Sequence, residues 1–279
     1  MKFKFIFIFF NTIILLFLSA VCLLPLIFLG QDYMANFRYA LLPLTLILVL
    51  ALLGFNVFYL VNHRLFTLLE REDWPALVDY LEQRVIHRGR YSRRLVQLLT
   101  NSYLVMSDSR GLLNLENKLA LARPALLEEN ALIFGAARIL VGDFAGASDF
   151  FQARLEKAKV KAKDLQWIRW YYGFSRLLSR DFAKAEAEFK ALAAASTDGL
   201  IAGLSVYFLN TSLLKYSKNR DECRQIAAEG EKRVKKAIRG ISGWKKEAAK
   251  VESDVHAAII RKYIDEAGVR LYGGQGGTN

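Results

Sequence analysis

Four aspartates recur at nearly constant spacing, and this spacing constrains the fold more than any other feature of the chain. They are Asp73, Asp108, Asp143 and Asp181, separated by 35, 35 and 38 residues. An aromatic residue follows three of them, and a small or apolar residue lies four positions after each. Apolar residues three to four apart indicate one face of a helix, and self-similarity at a period of about 20 to 50 residues indicates a repeat array. The sequence therefore predicts successive helix–turn–helix units with the aspartate in the turn.

Two glycines share a register within these units. Gly135 and Gly173 each lie eight residues before an aspartate, and Phe151 and Phe189 each lie eight residues after the same aspartates. A glycine inside a helix costs about 1 kcal/mol relative to alanine. Its repetition at one register therefore predicts that two helices approach closely there.

This pattern resembles the tetratricopeptide repeat family. In that family a helix pair of about 34 residues carries a small residue in its first helix, a Gly-Asp-aromatic turn, and an alanine and an aromatic in its second helix. The resemblance is good over residues 128–158 and 166–196. It implies an α-solenoid, and a generic helical bundle is the alternative.

The other units depart from the family pattern. Around Asp108, Thr100 replaces the glycine and Glu116 replaces the aromatic. The unit at Asp73 is weaker still. Residues 200–240 are expected to form a stretched further unit, with Asp221 as a candidate turn residue.

Two apolar runs precede the repeats, over residues 5–29 and 40–61. Each exceeds the roughly 20 residues that a helix needs to cross a bilayer. Ten residues join them, so the sequence predicts a transmembrane hairpin, residues 1–62, with a short exposed tip. A lipoprotein signal ending at Cys22 would instead make the chain a periplasmic lipoprotein adaptor, but Val21 fits such a signal poorly and the apolar run continues after the cysteine.

Basic residues flank the two spans unequally. Lys2 and Lys4 precede the first span and Arg38 alone lies in the connection, whereas seven arginines lie between residues 64 and 94 after the second span. The positive-inside rule then predicts a multi-pass inner-membrane protein with both termini and the repeat domain in the cytoplasm.

The predicted fold is all-α, with two transmembrane helices followed by an α-solenoid of repeat-like helix pairs over residues 63–271. The second span is expected to continue as the first helix of the array and to stop near Asp73. A single helix over residues 244–271 would cap the solenoid, with an apolar stripe at Val251, Val255, Ile259 and Tyr263. Residues 272–279 are glycine-rich and are expected to be a disordered tail.

The resemblance implies that the first helix of each pair lines a concave groove that binds a protein partner. By register, this groove is lined by Arg94, Gln97 and Asn101 in one unit and by Trp167, Trp170 and Phe174 in another. Exposed aromatics and arginines are usual anchors of protein interfaces. The alternative is that the aromatics are buried against the neighbouring repeat or against a C-terminal helix folded into the groove.

Two sets of arginines carry further expectations. Arg138 and Arg176 share a register five residues before an aspartate, and they either pair with acids on a neighbouring helix or face the partner. A second set is predicted to contact anionic lipid head groups, unless it is a solvated loop that only enforces topology. This set consists of Arg84, Arg88, Arg90, Arg93 and Arg94.

The chain carries no recognisable catalytic or cofactor motif. Its three histidines are too scattered for a metal site, and Cys223, beside Arg220 and Arg224, is either a thiol of lowered pKa or inert. The formal charge of +12 is mixed in sign along every helix and lacks a nucleic-acid recognition motif. The sequence therefore predicts no enzyme, no cofactor, no metal and no nucleic-acid partner.

These features together predict a membrane-anchored scaffold that recruits a protein partner, as part of a larger membrane complex. A regulatory or assembly subunit of a membrane enzyme or secretion complex is the alternative. The layout resembles bacterial inner-membrane proteins of porphyrin-pathway and exopolysaccharide-secretion systems, in which a two-span hairpin carries a cytoplasmic repeat domain.

Overall fold

The computed structural model describes residues 3–156, 162–252 and 255–273, and these are helical with no strand among them. The chain divides into two compact units, Met1–Arg88 and Gly89–Asn279. The domain boundary predicted after residue 62 therefore lies inside the first unit, in which residues 63–88 pack with the apolar segments.

Helix α1 (Phe3–Arg71) in the first unit folds back on itself. A straight helix of this length would span about 100 Å, yet the ring centroids of Phe3 and Phe66 lie 5.0 Å apart and those of Phe7 and Tyr59 lie 3.9 Å apart. Two segments, Phe3–Leu24 and Leu42–Arg71, are long and apolar enough to cross a membrane. The second segment continues to Arg71, as predicted. The side chains of the predicted tip, residues 30–39, lie outside the described residues.

A polar pair joins the two arms of this hairpin. Asn56 Nδ2 donates to Asn11 Oδ1 at 2.7 Å. Each asparagine also donates to a carbonyl of its own helix, at Phe7 and Leu52. Between apolar helices such a hydrogen bond contributes about 0.6 to 2 kcal/mol, and its position fixes the register of the two arms.

The first unit ends in a short helix and a basic turn. Helix α2 (Trp74–Glu82) begins after Asp73 and runs into a π-helical turn, Gln83–His87. Gly89, the first residue of the second unit, has a φ of +63°, a left-handed conformation that suits a residue without a Cβ.

The second unit consists of further helices that pack in chain order. They are α3 (Arg93–Val105), α4 (Ser109–Ala122), α5 (Pro124–Glu129), α6 (Ala131–Leu140), α7 (Phe144–Leu155), α8 (Ala162–Leu178), α9 (Phe182–Ala195), α10 (Gly199–Phe208), α11 (Arg220–Ala237), α12 (Gly240–Glu252) and α13 (Val255–Tyr272). Another π-helical turn, Leu209–Leu213, extends α10. Each helix from α6 to α10 contacts the next one in the chain.

The four periodic aspartates have one structural role. Each is the N-cap of a helix, and its carboxylate accepts a hydrogen bond from the backbone N–H three residues later, at Ala76, Gly111, Gly146 and Lys184. The residue before each aspartate has a positive φ, at Glu72, Ser107, Gly142 and Arg180. The same helix–turn–helix geometry therefore occurs four times, which confirms the turn prediction, since a left-handed residue ends one helix and a carboxylate caps the next.

A fifth turn follows at a different residue from the one predicted. Asn219, not Asp221, caps α11, and its side chain accepts from the N–H of Glu222. Asn219 lies 38 residues after Asp181, the same spacing that separates Asp181 from Asp143. Asparagine caps a helix as well as aspartate does, so a search restricted to aspartates missed this turn.

The two glycines at the shared register lie where helices meet. A Cβ on Gly135 would overlap the ring of Phe151, and a Cβ on Gly173 would lie 3.1 Å from Glu188 and 3.4 Å from Phe189. Each glycine thus faces the aromatic of its own unit, eight residues after the aspartate. The prediction of close helix approach is confirmed.

We expect Gly135→Ala to lower the free energy of unfolding by up to about 2 kcal/mol, because overpacking costs about 1 to 3 kcal/mol and the helix propensity of alanine returns about 1 kcal/mol. Urea titration of the full chain in mild detergent, read by pulse proteolysis, measures the change. Gly173→Ala is the matched control and should be near neutral, because its neighbours are farther away. Equal costs at the two sites would contradict this packing.

The C-terminal segment forms two helices where one was predicted. The indole N–H of Trp244, in α12, donates to the carbonyl of Ile264, in α13, at 2.9 Å, so the chain turns back between these residues. Buried residues of α13 include Ile260, Ile264, Ala267 and Leu271, whereas Ile259 and Tyr263 of the predicted stripe are partly exposed. Val251 is buried on α12, and the side chain of Val255 lies outside the described residues.

The predicted tail begins one residue too early. Tyr272 belongs to α13, is buried, and donates its hydroxyl to the carbonyl of Ile238 at 2.8 Å. Residues 274–279 of that tail lie outside the described residues.

Candidate interaction surface

Three of the predicted partner-binding residues are core residues. Trp167, Trp170 and Phe174 are 2%, 0% and 3% exposed. The Trp170 ring packs against Phe189 of α9 and Phe208 of α10, with both centroid distances 5.9 Å. The expectation that these aromatics line an open groove is therefore wrong, and the alternative, burial against the neighbouring helices, is what the structure shows.

Helix α13 covers the side of the array on which these aromatics lie. The Phe174 ring meets Tyr263 at 5.4 Å, and α13 contacts both α6 and α10. The Tyr207 hydroxyl of α10 donates to Glu266 of α13 at 2.5 Å. Burial, reinforced by the Glu266 carboxylate, raises the pKa of Tyr207 to about 12, so this donor keeps its proton at neutral pH. Helix α13 thus occupies the position at which the groove hypothesis placed a protein partner.

The predicted residues on α3 are the ones that solvent reaches. Arg94 is exposed, and Gln97 and Asn101 are partly exposed. Asn101 Oδ1 is buried and accepts no hydrogen bond from the described part of the chain. A partner could therefore contact α3 without displacing another helix.

A second accessible surface was not predicted, and we call it the apolar edge. It consists of Val105, Met106, Leu140 and Val141, which are 56%, 40%, 54% and 46% exposed. These residues lie three and two positions before Asp108 and Asp143, so they occupy the same register in two consecutive turns. Apolar residues repeated at that register were the signal in the sequence. Exposed apolar side chains are candidates for an interaction site when they form a continuous patch.

The two arginines that share a register each contact a residue of the preceding helix–turn–helix repeat. Arg138 pairs with Glu116 on α4 at 2.7 Å and with its own turn aspartate, Asp143, at 3.1 Å. Arg176 likewise donates to Gln152 on α7 at 3.1 Å and lies 3.6 Å from Asp181. The predicted pairing with an acid on a neighbouring helix is therefore shown for Arg138, whereas Arg176 meets an amide on that helix and an acid only in its own turn. Glu116 stands where other units have an aromatic because it meets Arg138.

A further arginine is buried beside this pair. Arg154 is 5% exposed, contacts Glu128 at 3.1 Å and stacks on the Phe150 ring at 3.3 Å. Burial lowers the pKa of Arg154, and Glu128 and Glu116 oppose that shift. Because two carboxylates match the two guanidinium groups, the cluster leaves no net charge for an anionic ligand.

The remaining residues that sequence analysis considered for chemistry are structural or dispersed. Cys223 is buried, and burial raises the pKa of its thiol, so the lowered pKa considered for it is wrong. Over the described ranges there is no group of three or more histidines, cysteines, aspartates or glutamates that could hold a metal ion.

The predicted membrane-surface arginines differ in their surroundings. The Arg84 guanidinium lies 5.1 Å from the centre of the Tyr80 ring. Arg88 and Arg90 are exposed, and Arg93 lies 3.8 Å from Glu129 with both side chains about half exposed. A contact of this set with lipid stays a prediction.

Comparison with known proteins gives one family. The family described as "Uncharacterised Treponema protein" matches residues 111–273, more than half of the chain, from α4 to the end of α13. An "Uncharacterized protein" of Treponema pallidum (strain Nichols) is 32% identical over 221 residues, which are 79% of this chain and 66% of the relative. The match thus spans just under two thirds of the relative's length. No solved structure matches.

Proposed function

The chain belongs to the family described as "Uncharacterised Treponema protein", and from its own residues we propose that it is a membrane-anchored scaffold that recruits a protein partner. The hairpin Phe3–Arg71 anchors it, and the second unit is an array similar to tetratricopeptide repeats. Both termini and the array lie on the cytoplasmic side, as the distribution of basic residues predicts.

The repeated turn geometry carries this proposal. Stacked helix pairs present extended surfaces on which partners bind. The two segments of mean hydropathy 2.7 and 2.5 in the first unit would keep such an array at a bilayer. A subunit of a larger membrane complex fits this combination.

The surface that we propose for the partner is the outer part of the array and not the buried aromatics. It combines the apolar edge with the accessible face of α3, which carries Arg94, Gln97 and Asn101. Arg110, exposed beside Asp108, adds a further positive charge to this part. A matching partner presents an apolar helix face flanked by acidic residues, because apolar anchors contribute affinity and charges set orientation.

Quantitative affinity purification of the full chain in mild detergent tests this function. We expect one stoichiometric partner, and at least about a tenfold loss of it when Leu140→Glu and Val141→Glu place charges on the apolar edge, since each charge buried in the interface would cost affinity. The purified partner should then bind the purified wild-type chain directly.

Val269→Glu is the matched control, because Val269 is 66% exposed on α13, away from the turn register. It should retain the partner. If the edge variant and this control capture the same proteins in the same amounts while both stay folded, the apolar edge is not the binding site. If no stoichiometric partner is found under any condition, the scaffold function itself is wrong.

A further inference from the structure

A basic surface lies where α11 is followed by α12. Between Lys232 and Lys250 the chain carries eight basic residues and a single acidic one, Glu247. Three of the eight are engaged with neighbouring groups. Lys235 pairs with Glu231, Lys250 pairs with Glu247, and Arg233 donates to backbone carbonyls at the end of α9.

The other five basic side chains are exposed and make no ion pair with any residue that the structure describes. They are Lys232, Lys236, Arg239, Lys245 and Lys246, which we call the basic junction. The rest of the second unit differs, because many of its charges are paired across or along helices. The basic junction is therefore a local excess of unpaired positive charge.

One apolar side chain within this stretch is partly exposed. Ile238, which follows α11, is buried, and Gly240 turns the chain with a φ of +71°. Ile241 is then 42% exposed, and its Cδ1 would lie 3.4 Å from a Cβ on Gly268 of α13. Three residues of the basic junction, Lys232, Lys236 and Arg239, precede Ile241, and the other two, Lys245 and Lys246, follow it on α12. An exposed isoleucine flanked on both sides by cations is the composition of segments that rest in a membrane interface.

The chemistry of the basic junction favours a lipid surface over other polyanions. Four of its five residues are lysines, which are flexible point charges and lack the planar fork with which arginine reads phosphate or carboxylate bidentately. The only aromatic residue of this stretch, Trp244, is 2% exposed, so no ring is available for stacking on nucleic-acid bases. The chain also carries two helices apolar enough to cross a membrane, which would hold a bilayer within reach.

We propose that the basic junction is a second membrane contact, which docks on anionic phospholipid head groups with Ile241 inserted at the interface. The proposal rests on the membrane anchoring in the proposed function, and it adds a lipid-dependent attachment for the C-terminal part of the second unit. Lysines near an anionic surface each add to such binding, and the attraction weakens as salt rises.

A fluorescent reporter at position 241 tests this docking in the full chain. Ile241→Cys, in a chain with Cys22→Ala and Cys223→Ala, is labelled with an environment-sensitive dye and placed in nanodiscs of phosphatidylcholine with or without about 30% phosphatidylglycerol. In the anionic nanodiscs alone, we expect the dye emission to shift to the blue and spin-labelled lipid to quench more than about half of it. Raising the salt to about 0.5 M should reverse both changes. The same label at Leu121, 90% exposed on α4, should not respond.

Removing charges at two sets of lysines distinguishes the contribution of the basic junction from that of the overall positive charge. Lys232→Gln, Lys236→Gln, Lys245→Gln and Lys246→Gln together should abolish the response. The same change at four other exposed lysines, Lys118, Lys184, Lys215 and Lys218, should preserve it. All eight side chains are exposed, so both variants are expected to fold.

Three outcomes would overturn the proposal. The label could read the same in both nanodiscs, or the response could survive removal of the four junction lysines. It could also be absent in anionic nanodiscs and appear on adding a short RNA or an acidic peptide, which would assign the basic junction to a soluble polyanion. None of these outcomes affects partner capture through the apolar edge. Extraction of the chain from membranes by carbonate would instead contradict the anchoring.

Discussion

Replacing Trp170 by alanine is expected to lower the free energy of unfolding by about 3 to 5 kcal/mol, the usual cost of removing a large aromatic from a core. Its ring is 0% exposed and packs on Phe174, Phe189 and Phe208, with centroid distances of 5.1 to 5.9 Å. Since a domain has about 5 to 15 kcal/mol in total, the variant should unfold at much lower urea in full-chain pulse proteolysis.

Trp170→Phe is the informative control. The indole N–H of Trp170 is buried and has no acceptor among the residues that the structure describes, so phenylalanine removes an unsatisfied donor while it keeps most of the apolar contact. We expect a cost below about 1.5 kcal/mol, in the range of a conservative core substitution. If Trp170→Ala proved as mild, this tryptophan would not be a core residue, and the aromatic groove would again be a candidate partner site.

Arg138→Met should be nearly as damaging, because it leaves the carboxylate of Glu116 buried without its partner. The pair is 2.7 Å apart and the two side chains are 19% and 10% exposed. Breaking a buried pair from one side costs about 3 to 5 kcal/mol. The same urea titration of the full chain measures this loss.

Two further variants test whether the burial of this ion pair causes the loss of stability. Arg93→Met removes a pair that is 3.8 Å apart and about half exposed, and it should cost about 0 to 1 kcal/mol. The double variant Glu116→Leu and Arg138→Met should recover most of the stability, because apolar groups can replace a buried pair at little cost. If Arg138→Met lowered the free energy of unfolding no more than Arg93→Met does, the Glu116 carboxylate would be solvated and not buried.

The helices and their turns could be predicted because their causes are local. An aspartate caps the helix that follows it through an N–H three residues away, so Asp143 and its counterparts mark turns wherever the rest of the chain lies. The glycine at position 135 and the aromatic at position 151 flank one turn, and their contact follows from that turn. The apolar spans depend on composition alone.

The candidate site could not be predicted in the same way, because exposure depends on distant parts of the chain. Trp170 and Phe174 face the side of the array that α13 covers, about 90 residues further along. Sequence analysis left a C-terminal helix in this position as an alternative, because the register of the repeats does not show how α13 packs. The exposed apolar edge at Leu140 was missed because the repetition of apolar residues before two turns does not show whether another helix covers them.

The amino-acid sequence alone determined the all-helical architecture, the two apolar spans and the period of the turns, since capping, helix periodicity and hydropathy act over a few residues. Only the tertiary structure decided which faces remain open, because burial is a property of the whole packing arrangement. It placed Trp167, Trp170 and Phe174 in the core, paired Glu116 with Arg138, and left the apolar edge and the basic junction in solvent.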